Sequence, residues 1–209
     1  MEKYLDFREN IDYEKLKEPA KILKNGGIVI FPTETVYGIG ANALDENAVK
    51  RIYDVKEREL NKPISVLVND FDMIEKIAKD ITDVEYKLMR AFFPGPFTII
   101  LKKKEVISDL VTAGLDCVGI RMPAGEIAKK LVELSGVPLA TPSANISGNP
   151  SGTNLDAIFK DFKEKVDFFI NGGESKIGLA STIVKVVDGE IKILREGSIT
   201  KEDIENAIQ

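Results

Sequence analysis

Short apolar runs alternate along this chain with stretches of helical periodicity. Leu16, Ala20 and Leu23 recur at helical spacing and stop at Gly26-Gly27, a C-terminal signal, which predicts a helix over Tyr13–Asn25. Ile28–Phe31 follows as an apolar strand, and Asp45 stands where it caps a helix through Ala48, Ile52 and Val55. Ile64–Val68 reads as a strand, and Asp70 and Thr82 as caps of helices reaching Ala78 and Phe92. Pro94-Gly95-Pro96 interrupts the chain before a strand at Thr98–Leu101. Val118–Met122 is a predicted strand, Glu126–Ser135 a helix ended by Gly136, and Val137–Ala140 a buried strand. Asn154–Phe162 is predicted helical and Phe168–Ile170 extended. Asp188-Gly189 between Thr182–Val187 and Glu190–Leu194 is a strong hairpin signal. Thr200 caps a last helix, with Asp203 close to the capping-box position. Helices separating strands, together with a hairpin, imply a single α/β domain over residues 1–209 with a mixed sheet and flanking helices.

Composition narrows the chemistry. A length of 209 residues suits one large domain with a sizeable core, and 44% hydrophobic with 30% charged residues is ordinary for a globular protein. No apolar run is long enough for a bilayer, MEKYLDFREN is no signal peptide, and the single cysteine, Cys117, excludes an internal disulfide. A cytoplasmic, membrane-free protein is the expectation. The absence of histidine removes Ser-His-Asp and Cys-His machinery and most zinc sites. Catalysis must then rest on carboxylates, Lys, Tyr and Ser/Thr, or on positioning and electrostatics. The formal charge of −5 gives no global nucleic-acid signature, and Lys102-Lys103-Lys104 reads as a solvated strand end.

Arginine is scarce, with six in the chain: Arg8, Arg51, Arg58, Arg90, Arg121 and Arg195. Its planar fork suits carboxylate and phosphate. Arg121 and Arg195 each end an apolar run, at strand exits, where α/β sheets bind ligands. Four other features share this setting. Thr141–Gly152 (TPSANISGNPSG) carries four hydroxyls, two amides and two glycines without a charge. Pro32–Gly38 (PTETVYG) leaves a strand, Lys56-Glu57-Arg58 precedes Lys62-Pro63, and Gly178–Thr182 (GLAST) enters a strand. Hydroxyls and isolated cations at several strand ends suit an anionic ligand with phosphates, although neither a Walker A nor a GxGxxG sequence is present.

Taken together, GGIVIFPTETVYGIGANA, KERELNKP, FPGPFT, VGIRMP, PLATPSANISGNPSG, GLASTIV and ILREGSI, in this order from about Gly26 to Ser198, resemble the YrdC-like family of threonylcarbamoyl-AMP synthases. The resemblance implies an open, twisted α/β sheet with the site on a concave face. It also implies formation of threonylcarbamoyl-AMP and pyrophosphate from L-threonine, bicarbonate and ATP, a product used with a separate transferase to modify tRNA. By the same resemblance, Lys56 and Arg58 hold the carbonate group and neighbouring phosphate. Thr35, Arg121, Thr141 and Ser181 bind threonine, with Arg121 on its carboxylate. Lys62, Cys117, Ser143, Asn145, Ser151 and Arg195 line the nucleotide site, Tyr37 closes the pocket or packs, and Mg2+ rides on the ATP phosphates without a protein cage. Leu67 stands where some members carry a threonine-contacting histidine, and Cys117 where many carry a threonine. A non-catalytic, RNA-binding relative of the same fold is the alternative.

Overall fold

Side chains that satisfy free N–H groups start most of the helices in the structure, a computed structural model that describes residues 3–208. Its elements, in chain order, are β1 (Tyr4–Asp6), α1 (Lys17–Lys24), β2 (Val29–Phe31), β3 (Gly38–Asn42), α2 (Glu46–Lys56), β4 (Val66–Leu67), α3 (Phe71–Ile77), β5 (Ala78–Lys79), α4 (Asp83–Phe92), β6 (Phe97–Lys103), α5 (Asp109–Thr112), β7 (Cys117–Arg121), α6 (Glu126–Ser135), β8 (Leu139–Ala140), α7 (Leu155–Phe162), β9 (Phe168–Asn171), β10 (Thr182–Val187), β11 (Glu190–Arg195) and α8 (Lys201–Ile208). Asp45, Asp70 and Asn154 accept from the first turns of α2, α3 and α7, and Thr82 with Glu85 forms a capping box on α4. Thr200 and Asp203 exchange the same reciprocal bonds before α8.

The predicted first helix is shorter than its periodicity suggests. Residues 13–16 form turns and α1 starts at Lys17. Pro19 explains this: it has no N–H to donate, so it is accommodated in a first turn but not in a helix interior. The predicted strands at Ile64–Val68 and Val137–Ala140 contract to β4 and β8, two residues each. β3, with its two glycines, offers little strand propensity and was not predicted, nor were β1, β5 and α5.

The sheet order is β1-β9-β2-β3-β8-β4-β7-β6-β10-β11, with β5 beside β6. The two ends do not meet, so the sheet is open. It is mixed, as expected: β4/β7 and β6/β10 run parallel, while β6/β7 and the β10/β11 hairpin run antiparallel. One face buries Val66, Ile99, Leu101, Val118, Ile120 and Val184 in the larger core with α2, α3 and α4. On the other face, α1 and α6 pack over Val29, Phe31, Leu67 and Leu139. Register carries that second face onward from Leu67 to its partner Arg121, and from Ile183 to its partner Thr98. The α1/α6 layer reaches β4 at Leu67 and goes no further, so β7, β6 and β10 present an open face that carries Arg121, Gly119 and Thr98. Among the described residues, no helix is long and apolar enough to cross a membrane.

Candidate functional site

A cavity of about 430 Å3 lies on this face. Its wall includes Thr35, Arg58, Lys62, Ser65, Leu67, Thr98, Arg121, Thr141, Ser143, Ser151, Ser181 and Arg195. The fold thus brings nine of the twelve residues singled out from sequence to one cavity. Three arginines and a lysine line it and no carboxylate does, in a chain of net charge −5. Local potential here opposes the global sign.

The loop Thr141–Gly152 is not a free surface turn. Thr141 N donates to Ser65 O at 2.8 Å, Ala144 N to Tyr37 O at 2.7 Å, and Tyr37 N to Gly152 O at 3.0 Å. A β-carbon on Gly38 would lie 2.6 Å from Thr141 Cγ2, so this close seating of the loop on β3 requires glycine. Tyr37 is fully buried, its hydroxyl donating to Gly173 O and accepting from Gly172 N. It packs; it does not close the cavity.

Lys56, Cys117 and Asn145 are not in the cavity wall. Glu57 caps α2 in the left-handed region, and the chain turns there, so Lys56 and Arg58 part company. Arg58 reaches the cavity, its Nε and Nη2 held by Lys62 O and Pro63 O at 3.1 and 3.0 Å. Burial lowers its pKa. Lys56, 1% exposed, lies beneath the loop and donates to Ser143 O at 2.6 Å and to Asn145 O. The Asn145 side chain stays within the loop, accepting from Ser143 Oγ at 2.5 Å and donating to Ile146 O and Asn149 O. Cys117 is on the same sheet face as Arg121, four residues away along β7, with Lys185 Nζ 3.9 Å from its Sγ. Burial raises the pKa of this thiol.

Burial and the Arg58 charge pull the Lys56 pKa from 10.5 down to about 7. Between those values the unfolded chain binds a proton that the folded chain does not, so this group makes folding more favourable as pH rises from about 7 toward 10.5. In Lys56→Met that increment should vanish. Thermal unfolding of both proteins across pH 7–10 checks it, and parallel curves would refute it.

Arg121, 7% exposed, is held from three sides. Nε donates to Gly95 O at 3.2 Å, Nη1 donates to Thr35 Oγ1 at 2.9 Å, and Nη2 lies 2.7 Å from Glu34 Oε1. The Nη2 contact is off the hydrogen-bond axis, which leaves this buried group without an aligned acceptor. Glu34 also accepts from Ala124 N and Gly125 N, both at 3.1 Å, at the start of α6. Burial pushes the Glu34 pKa up, but the Arg121 charge and these hydrogen bonds outweigh it and hold the carboxyl below its usual range. Glu34 lies within PTETVYG, yet its pairing with Arg121, 87 positions on, leaves no local signal in the sequence. Arg195 forks onto Ser181 O at 3.0 and 2.8 Å and reaches Ser181 Oγ at 3.1 Å. Ser181 Oγ in turn meets Thr98 Oγ1 at 2.7 Å. Arg195, expected toward the nucleotide, therefore tethers Ser181, expected toward threonine. Burial and the nearby Arg121 charge lower its pKa.

A family model described as "Telomere recombination", covering Sua5, YciO and YrdC proteins, matches residues 21–197. The chain belongs to the Sua5/YciO/YrdC family. It is 46% identical over 204 residues to the threonylcarbamoyl-AMP synthase of Pyrococcus abyssi, covering 98% of this chain and 60% of that protein. It is 47% identical to a putative threonylcarbamoyl-AMP synthase of Methanocaldococcus jannaschii, covering 90% of each. The chain thus spans less than two thirds of the P. abyssi relative's length. Among solved structures, P. abyssi Sua5 complexed with L-threonine superposes with a TM-score of 0.95 at 45% identity, over 98% of this chain and 60% of that one. E. coli YciO shares the fold, with a TM-score of 0.83 at 23% identity over 93% of this chain and 94% of its own. The open, mixed α/β sheet expected for a Sua5/YciO/YrdC member is the one observed.

Proposed function

We propose that this chain is a threonylcarbamoyl-AMP synthase, joining L-threonine, bicarbonate and ATP into threonylcarbamoyl-AMP with release of pyrophosphate and water. The observation that carries this reading is the cavity with three arginines, one lysine, a rim of hydroxyls and no carboxylate. Threonine's amine and bicarbonate form a carbamate with loss of water. A carbamate oxygen then forms a bond to the α-phosphorus as the bond to the pyrophosphate oxygen breaks. The nucleophile belongs to the substrate, which accords with a chain that contains no histidine. What the protein supplies is orientation and charge, bringing mutually repelling anions together.

In this reading Arg121 takes threonine's carboxylate, with Thr35, Thr141 and Ser181 beside it. Leu67, the register partner of Arg121, offers that end an apolar contact. Arg58 and Lys62 meet carbonate and phosphate, and Ser143, Ser151 and Arg195 line the nucleotide. Lys56 acts through the loop, by fixing the carbonyls of Ser143 and Asn145. In this reading Mg2+ arrives on the triphosphate as part of the substrate. The product would pass to a tRNA-modifying transferase, in the cytoplasm.

The decisive experiment is pyrophosphate release from ATP, which should require both L-threonine and bicarbonate. Release indifferent to threonine would sink the proposal. The RNA-binding alternative draws on Lys185 and its partner Lys192, with Lys102 on the same face beyond the cavity. Salt-dependent RNA affinity without adenylate formation would favour it.

A further inference from the structure

We infer that Glu34 determines which class of anion the Arg121 end of the cavity accepts: it balances that arginine from behind, so this end takes a net-neutral, carboxylate-bearing amino acid and rejects phosphate. The inference rests on the placement of the amino acid at Arg121 proposed above.

The four cations of the cavity are not equivalent. Arg58 and Arg195 have no acidic partner among the described residues, and their guanidinium groups are held by backbone carbonyls. Lys62 pairs with Glu59 at 3.3 Å, but both side chains are about half exposed or more, so water screens that pair. Arg121 alone has a buried carboxylate counter-charge, with side-chain exposures of 9% for Arg121 and 12% for Glu34.

Glu34 itself does not line this cavity. It lines the adjoining one, of about 450 Å3, with Gly125, Glu126 and Glu174, so the Arg121–Glu34 pair is the partition between the two. The two backbone N–H groups at the start of α6 hold the carboxylate in place, so it cannot swing away when a ligand arrives.

The charge pattern then sorts ligands. At the Arg58, Lys62 and Arg195 end the field is cationic and suits a polyanion. At the Arg121 end the long-range field is largely cancelled, while the second N–H of Nη1, beyond the one that meets Thr35 Oγ1, keeps its direction. A zwitterionic amino acid carries no net charge and loses little from that cancellation, because its carboxylate needs only a short-range, charge-assisted hydrogen bond. Phosphate carries one to two net charges and feels the Glu34 carboxylate as repulsion.

The test uses the whole protein and direct binding, without catalysis. Calorimetric titration with inorganic phosphate compares wild type with Glu34→Gln, and L-threonine is then added as a competitor. Glutamine preserves shape and one acceptor but removes the charge. Glu34→Gln should bind phosphate about tenfold or more tightly than wild type, from loss of one nearby negative charge. The gain should vanish in Glu34→Gln/Arg121→Met, which locates it at Arg121, and L-threonine should displace the newly bound phosphate. A merely structural role for Glu34 predicts weaker or unchanged anion binding, and that result overturns the inference. Should Glu34→Gln not fold, Glu34→Asp carries the test. It withdraws the carboxylate from Arg121 by one methylene, and phosphate affinity no higher than in wild type overturns the inference equally. Wild-type protein that binds no L-threonine would instead overturn the placement of the amino acid, while the phosphate comparison at Arg121 still reads the charge effect.

Discussion

Arg121→Lys should raise the KM for L-threonine about ten- to a hundredfold while changing that for ATP less than about threefold. The magnitude is that of a charge-assisted hydrogen bond, about 1.5–3 kcal/mol, converted at about 1.4 kcal/mol per tenfold. The reason is geometric. Arg121 spans Gly95 O, Thr35 Oγ1 and Glu34 with three different nitrogens, and its orientation is the sum of those contacts. A lysine keeps the charge but has one nitrogen, and cannot satisfy all three partners while also donating to a carboxylate. Steady-state kinetics with each substrate varied in turn separates the cases. Equal increases for threonine and ATP would mean that Arg121 supports the fold of the cavity and does not grip the amino acid.

The second large effect is on stability. Gly197→Ala should lower stability by about 1–3 kcal/mol, as overpacking does, and the unfolding midpoint by about 2–12 °C. A β-carbon on Gly197 would lie 2.6 Å from Thr182 N and 2.8 Å from Ser181 C, and closer still to Ala180 O. All three are backbone atoms, so no rotamer change relieves the clash. The segment after β11 must separate from the one entering β10, which breaks the bonds from Gly197 N and Ile199 N to Thr182 Oγ1. Ser181 and Arg195 move with it, so threonine and ATP should both bind more weakly in the fraction that folds. An unchanged midpoint in thermal unfolding would show that the GLAST and REGS segments are not locked together as described.

Much of the fold was legible because its signals are local. Asp45, Thr82 and Asn154 cap helices by bonding N–H groups within a few positions, and Asp188-Gly189 makes a hairpin from its own dihedral preferences. β4 and β8 were legible as apolar runs but not in their extent of two residues, and β3 is a strand because β2 and β8 pair with it on either side. The site divides in the same way. Scarce arginines at strand exits stood out, and Arg58, Arg121 and Arg195 do line one cavity. Lys56 belonged to the same cationic run, yet it lies under the loop because it continues the buried face of α2 with Ala48, Val49 and Ile52, and the left-handed Glu57 then turns the chain before Arg58.

By itself, then, the sequence determined the starts of the side-chain-capped helices α2, α3, α4 and α8, the hairpin, the alternation of strands and helices, and the cations and hydroxyls available for an anionic ligand. These depend on neighbours a few positions apart, where backbone geometry alone decides which groups meet. Only the tertiary structure decided which cations face the cavity and which are balanced. Glu34 meets Arg121 and the start of α6, Arg195 forks onto Ser181, and Lys56 holds Ser143 and Asn145. The physical reason is that charges acquire their meaning from what is desolvated beside them, and those neighbours are brought there by sheet register, not by spacing along the chain.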